Sequence, residues 1–112
     1  MTAPRLAGGG LFASSGPIVA DGAMGTNLVS RPAHALNRTQ PDVVLALHRA
    51  YIEAGAKLIV TNTLTAFHDD LASEAGVRLA REAAGDQAIV IAGSLSVVPG
   101  RSPRSYQHFA RT

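Results

Sequence analysis

Three clusters in this 112-residue chain set small or polar side chains at the ends of apolar runs. Asp21-Gly22-Ala23-Met24-Gly25-Thr26 follows Pro17-Ile18-Val19-Ala20. Thr61-Asn62-Thr63 follows Leu58-Ile59-Val60, and Gly93-Ser94 follows Ala88-Ile89-Val90-Ile91-Ala92. A carboxylate directly before a glycine places charge beside bare backbone, where the chain turns sharply and a ligand can approach the main chain. In parallel α/β folds, strand C-termini form the edge at which ligands bind. Asn, Thr and Ser also begin ordinary loops, so each cluster alone has a bland reading. All three together, one with Asp before Gly, favour a small-molecule site.

The elements that would position these clusters alternate along the chain. Ile18–Ala20 is expected as a short first strand and Asn27–Ser30 as a brief helix start, stopped at Arg31 because proline disfavours helix in the residue before it. A polar loop through Asn37–Gln40 follows. Pro41 and Asp42 suit the first turn of a helix, and Gly55 its C-terminal stop. Val43, Leu47, Ala50, Tyr51 and Ala54 recur at helical spacing as the apolar face. The unbroken run Leu58–Val60 suits a parallel strand buried on both faces. A second helical region spans 68–84, with Leu71, Ala75, Leu79 and Ala83 on one face. Gly76 in its middle costs about 1 kcal/mol against alanine and could split it in two. A third strand at Ala88–Ala92, a loop at 98–103 and a helix start at 105–111 complete a β-α-β-α-β order.

Composition narrows the classes. The chain is 46% hydrophobic but only 4% aromatic, so its core is aliphatic and rich in alanine. A net charge of +2 gives no concentrated basic face, which argues against nucleic acid as a partner. With no cysteine, disulfides and Cys-based metal sites are excluded from these residues. No run approaches the ~20 apolar residues of a membrane span, and Met1–Gly16 is too glycine-rich for a signal peptide. The expectation is a disordered lead over residues 1–16, one domain over 17–112, and a cytoplasmic location. The four histidines, His34, His48, His68 and His108, form no i,i+4 pair and read as structural or solvent-facing. His48 is expected on a helix surface, and His68 within reach of a ligand. Gly-Ala-Met-Gly-Thr lacks both the P-loop and Rossmann patterns, which leaves nucleotide binding as the lesser alternative.

Ile18-Val19-Ala20-Asp21-Gly22-Ala23-Met24-Gly25-Thr26 resembles the first-strand signature of the homocysteine S-methyltransferase family. Leu36–Val44, then His48–Ala56 with Thr61-Asn62-Thr63, then Val77–Ala84 and Ala92–Leu95 continue the likeness in order, from about Pro17 to Pro99. The resemblance implies the N-terminal β-α-β-α-β part of a (β/α)8 TIM barrel, with three parallel strands. It implies methyl transfer to the homocysteine thiol, giving methionine, with zinc holding the thiol as thiolate in the complete domain. Asp21 and Gly22 match positions that hold the amino-acid end of homocysteine, and Asn62 and Ser94 lie on strand ends that line the pocket.

The likeness breaks at the metal. The family's zinc ligands are three cysteines on later strands, and this sequence has none. The segment between Thr63 and Val77 is also shorter than the family's usual one. Three strands of eight leave a barrel incomplete, with an unpaired apolar edge. The expectation is a chain inactive by itself, with no cofactor of its own. The alternative is a non-catalytic half-barrel that binds a small amino acid, or that pairs through its open edge with a completing chain or a second copy.

Overall fold

The computed structural model describes residues 16–28, 32–66 and 68–95. Most of the expected lead, the loop at 98–103 and the helix start at 105–111 lie outside them, as do Val29 and Ser30 of the expected short helix. A 3-10 turn at Ala33–Ala35 runs into helix α1 (Leu36–Thr39). Helix α2 (Pro41–Glu53), strand β1 (Leu58–Val60), helix α3 (Asp70–Ala84) and strand β2 (Val90–Ala92) follow. The architecture is α/β, with a two-stranded parallel sheet in the register Leu58↔Val90, Ile59↔Ile91 and Val60↔Ala92.

Residues 18–20, expected as the first of three strands, instead make one isolated parallel bridge, Ala20↔Leu58. Asp21 N–H donates to Leu58 O at 2.9 Å and Lys57 N–H to Val19 O at 2.7 Å. The segment therefore lies along the free edge of β1. The ladder stops there because the Asp21 side chain takes the next strand donor: Oδ2 accepts from Val60 N–H at 3.0 Å.

Local chemistry sets the helix limits. Pro41 occupies the first turn of α2 with Asp42 beside it, and Gly55 leaves the helix at φ +113°. Asp69 caps α3, its Oδ1 accepting from Ala72 N–H at 2.9 Å, and Gly85 ends that helix at φ +55°.

Both long helices pack together and onto one face of the sheet. One cluster joins Leu28, Ala33, Leu36, Val44, Leu45, Leu79 and Ala83; another sets Ile59 against Ala56 and Ala80. Ile59 is wholly buried while Leu58 and Val60 are half-buried, so β1 is covered on one face rather than both.

Packing also corrects three readings of the helices. The buried face of α2 is Val44, Leu45 and His48; Val43 is 43% exposed, and Ala50 and Ala54 face solvent. Leu71 likewise lies outside the core, 58% exposed. The polar loop expected through Asn37–Gln40 is instead mostly a helical turn, Leu36–Thr39, that buries Leu36 and Asn37.

Gly76 does not divide α3. A Cβ there would sit 2.8 Å from Asn37 Nδ2, 2.9 Å from Thr63 Cγ2 and 3.2 Å from Asn62 O. Its lack of a side chain lets α3 approach the end of β1.

Candidate functional site

The three polar clusters meet where the strands end. A cavity of about 310 Å³ is lined by Asp21, Gly22, Met24, Gly25, Ala33, Val60, Thr61, Asn62, Leu64, Thr65 and Ser94. All four residues singled out in the sequence, Asp21, Gly22, Asn62 and Ser94, lie on this one cavity. A larger hollow of about 570 Å³ lies between α2 and α3, among Asp42, Leu45, Arg49, Ile52, Glu53 and Ala83. It is a shallow external groove that contains no strand-end residue, so the smaller cavity is the chemical candidate.

One wall is the Asp21–Thr26 turn. Its backbone is held from α2: Tyr51 O–H donates to Ala23 O at 2.7 Å, and Asn27 Nδ2 donates to the same carbonyl at 2.8 Å and to Tyr51 Oη at 3.2 Å. A Cβ on Gly22 would lie 2.9 Å from Tyr51 Oη, so glycine lets the turn close onto that ring. The carboxylate of Asp21 then sits at the cavity with Oδ2 anchored on β1.

The facing wall is the end of β1. Thr61 and Thr63 hydroxyls lie 2.7 Å apart; Thr63 Oγ1 donates to Ser94 O at 2.9 Å and accepts from Ser94 N–H at 3.3 Å. This ties the ends of the two strands together. Behind them, Asn62 Nδ2 donates to Ala33 O and to Asn37 Oδ1, both at 2.9 Å. Asn37 Nδ2 in turn donates to Asn62 O at 2.8 Å and Ala72 O at 2.9 Å.

At the rim, His34 Nδ1 lies 2.8 Å from Thr65 Oγ1, and its Nε2 lies 3.8 Å from Asp69 Oδ2. His68, expected within reach of a ligand, is exposed and is not among the cavity-lining residues.

His48 departs furthest from its expected place. It is 0% exposed, with neither ring nitrogen hydrogen-bonded among the described residues. Burial lowers its pKa below 6.5, because desolvation penalises the imidazolium; the Asp21 charge opposes that shift but does not cancel it. The ring is therefore neutral at pH 7.

Comparison with known proteins supplies the family. The family model for homocysteine S-methyltransferase matches residues 18–109. The chain belongs to the homocysteine S-methyltransferase family. Among curated relatives, the methionine synthase of Mycobacterium leprae (strain TN) is 43% identical over 58 residues, covering 41% of this chain and 5% of that protein. Methionine synthase of Mycobacterium tuberculosis (strain ATCC 25618 / H37Rv) is 41% identical over 58 residues, with the same coverage. The chain thus matches only about 5% of the length of these relatives.

The zinc implied by the homocysteine S-methyltransferase family does not fit these residues. The chain has no cysteine, and no group of three His, Asp or Glu residues that could hold a metal occurs among the described residues. Nor is any helix among them long and apolar enough to cross a membrane.

Sequence reasoning missed Asn37 and Tyr51 as shapers of the site. Tyr51 does pack its ring against the core cluster around Ile59, and its hydroxyl in addition holds the turn. Asn37 carries no local signal, since its partners lie 25 and 35 residues away.

Proposed function

We propose that this chain supplies the substrate-gripping wall of a homocysteine-methylating barrel. In this reading residues 18–20, β1 and β2 are the first three parallel strands of a (β/α)8 barrel, and the cavity at their ends takes the amino-acid end of homocysteine. The observation that carries the reading is the convergence of Asp21, Gly22, Asn62 and Ser94 on one cavity of about 310 Å³. An anionic carboxylate beside exposed backbone suits an α-ammonium group, because a charge-assisted hydrogen bond is roughly twice as strong as a neutral one. Thr61 and Ser94 add short polar groups, while Met24 and Leu64 offer apolar surface for the thioalkyl chain.

Methyl transfer needs an activated thiol, and the residues of this chain do not supply the zinc ligands that would provide one. The 112-residue chain is thus a binder of homocysteine that does not turn it over by itself. Titration calorimetry with L-homocysteine tests the grip, with Asp21→Asn as the informative variant. Asparagine keeps an oxygen for Val60 N–H but loses the charge, so affinity should fall about tenfold or more with the fold intact. Unchanged affinity would remove Asp21 from the site.

A second reading, a non-catalytic half-barrel completed by another chain or copy, draws on the one-sided sheet and on Val19, 55% exposed beside the Ala20 bridge. A sedimentation measurement separates the two: a monomer at all concentrations, binding homocysteine normally, leaves self-pairing without support. Zinc-dependent methionine formation by the purified chain would overturn the non-catalytic assignment in both readings.

A further inference from the structure

Asn62 and Asn37 form a closed hydrogen-bond pair whose atoms can be fully counted. A primary amide has two N–H donors and one carbonyl acceptor. Both Nδ2 hydrogens of Asn62 are engaged, on Ala33 O and Asn37 Oδ1 at 2.9 Å each. Both Nδ2 hydrogens of Asn37 are engaged too, on Asn62 O at 2.8 Å and Ala72 O at 2.9 Å. Flipping either amide would set oxygen against a main-chain carbonyl oxygen, so the network itself fixes which atom is which. Both residues are buried, where such a mismatch is not relieved by water.

Asn62 lines the cavity, yet its donors are spent. The one polar atom its side chain can offer a ligand is Oδ1, an acceptor. Asp21 across the cavity is also an acceptor.

We propose that Asn37 is a positioning residue that locks Asn62 with its amide oxygen available to the ligand, making the polar end of this cavity a two-acceptor seat selective for an ammonium group. The inference rests on the homocysteine-binding reading above and deepens it. Asn37 touches no ligand; it acts by holding the Asn62 amide from the main chain and the side chain at once. Gly76 completes the device, since any Cβ there would fall 2.8 Å from Asn37 Nδ2.

The test compares L-homocysteine with its deaminated counterpart, 4-sulfanylbutanoate, by calorimetry on the full chain. Wild type should prefer homocysteine by about tenfold or more, as expected for a charge-assisted hydrogen bond. Asn37→Leu removes the acceptor that holds Asn62, and the preference should shrink severalfold. A purely structural role would lower the melting temperature and leave the preference unchanged, which would overturn the proposal. Asn37→Asp keeps an acceptor for Asn62 Nδ2 and should keep the preference; its loss would count against the mechanism. A wild-type measurement needs no variant: the side-chain amide protons of Asn62 should stay protected from solvent exchange with and without homocysteine. Exchange at the free rate would overturn the lock. Failure of wild type to bind homocysteine removes the function itself, whereas an unaltered preference in Asn37→Leu removes only the inference.

Discussion

The two walls of the cavity are built on opposite plans. The β1 wall is buried and cross-linked: Asn37, Asn62, Thr61 and Thr63 satisfy one another and reach α3, β2 and the 3-10 turn. The Asp21 wall is a half-exposed turn, attached by one bridge, one carboxylate contact and the Tyr51 hydroxyl, which Asn27 also reaches. Two buried polar residues have contrary fates, Asn37 with every donor paired and His48 with no hydrogen bond among the described residues. A saturated network holds geometry; a sparsely tied turn can adjust to a ligand. The candidate site thus combines a densely cross-linked wall with a more loosely tied charged one.

Matching glycine substitutions in the two walls test that contrast. Gly76→Ala meets backbone oxygen and a packed amide, so it should destabilise by about 1–3 kcal/mol despite alanine's better helix propensity. Gly22→Ala meets the end of the Tyr51 ring, which can rotate away, so its cost should be smaller. Urea denaturation of both variants decides it; an equal or greater loss at Gly22 would break the rigid-versus-adaptable distinction.

The orphaned histidine predicts an acid response. Its folded pKa lies below the unfolded 6.5, so below pH 6.5 the unfolded chain binds the extra proton. Stability from neutral His48 is therefore fully present above pH 6.5 and is lost as pH falls toward the depressed folded value. The slope can reach about 1.4 kcal/mol per pH unit for one proton. His48→Leu should flatten this part of the stability profile and cost little at pH 7, since it removes two unpaired polar atoms. An unchanged slope in thermal melts from pH 7 to pH 5 would assign the response to another group.

Tyr51→Phe removes one hydrogen bond to Ala23 O and the acceptor for Asn27, and should cost about 1 kcal/mol or less. It should loosen the Asp21 wall without altering amide protection at Asn62. The smallest effect belongs to the Arg49–Glu82 pair, 4.0 Å apart with both side chains 57% exposed: Arg49→Ala should shift stability by less than about 0.5 kcal/mol.

The homocysteine S-methyltransferase resemblance and the polar strand ends were legible in the sequence because they depend on short, contiguous signals. The run Leu58–Val60 gives β1 its full extent, Pro41 opens α2 and Gly55 closes it. The face of α2 was not legible. Apolar residues at 43, 44, 45, 47, 50 and 51 allow two overlapping stripes, and the true one contains a histidine that reads as polar. Tertiary packing, with Leu28, Ala33, Leu36, Leu79 and Ala83 closing on Val44 and Leu45, selects the buried face, and His48 is buried with it.

Alone, the sequence determined where chain direction changes and which residue types crown the strands, because turn and strand preferences act over a few residues. It placed Asp21, Gly22, Asn62 and Ser94 at strand ends without saying what each would touch. Tertiary structure decided that Asp21 ends a ladder after one bridge, that Gly76 admits Asn37, and that Asn62 spends both its amide donors within the protein. Those outcomes depend on partners 25 to 39 residues away, and pairing over such separations is fixed only when the helices close on the sheet.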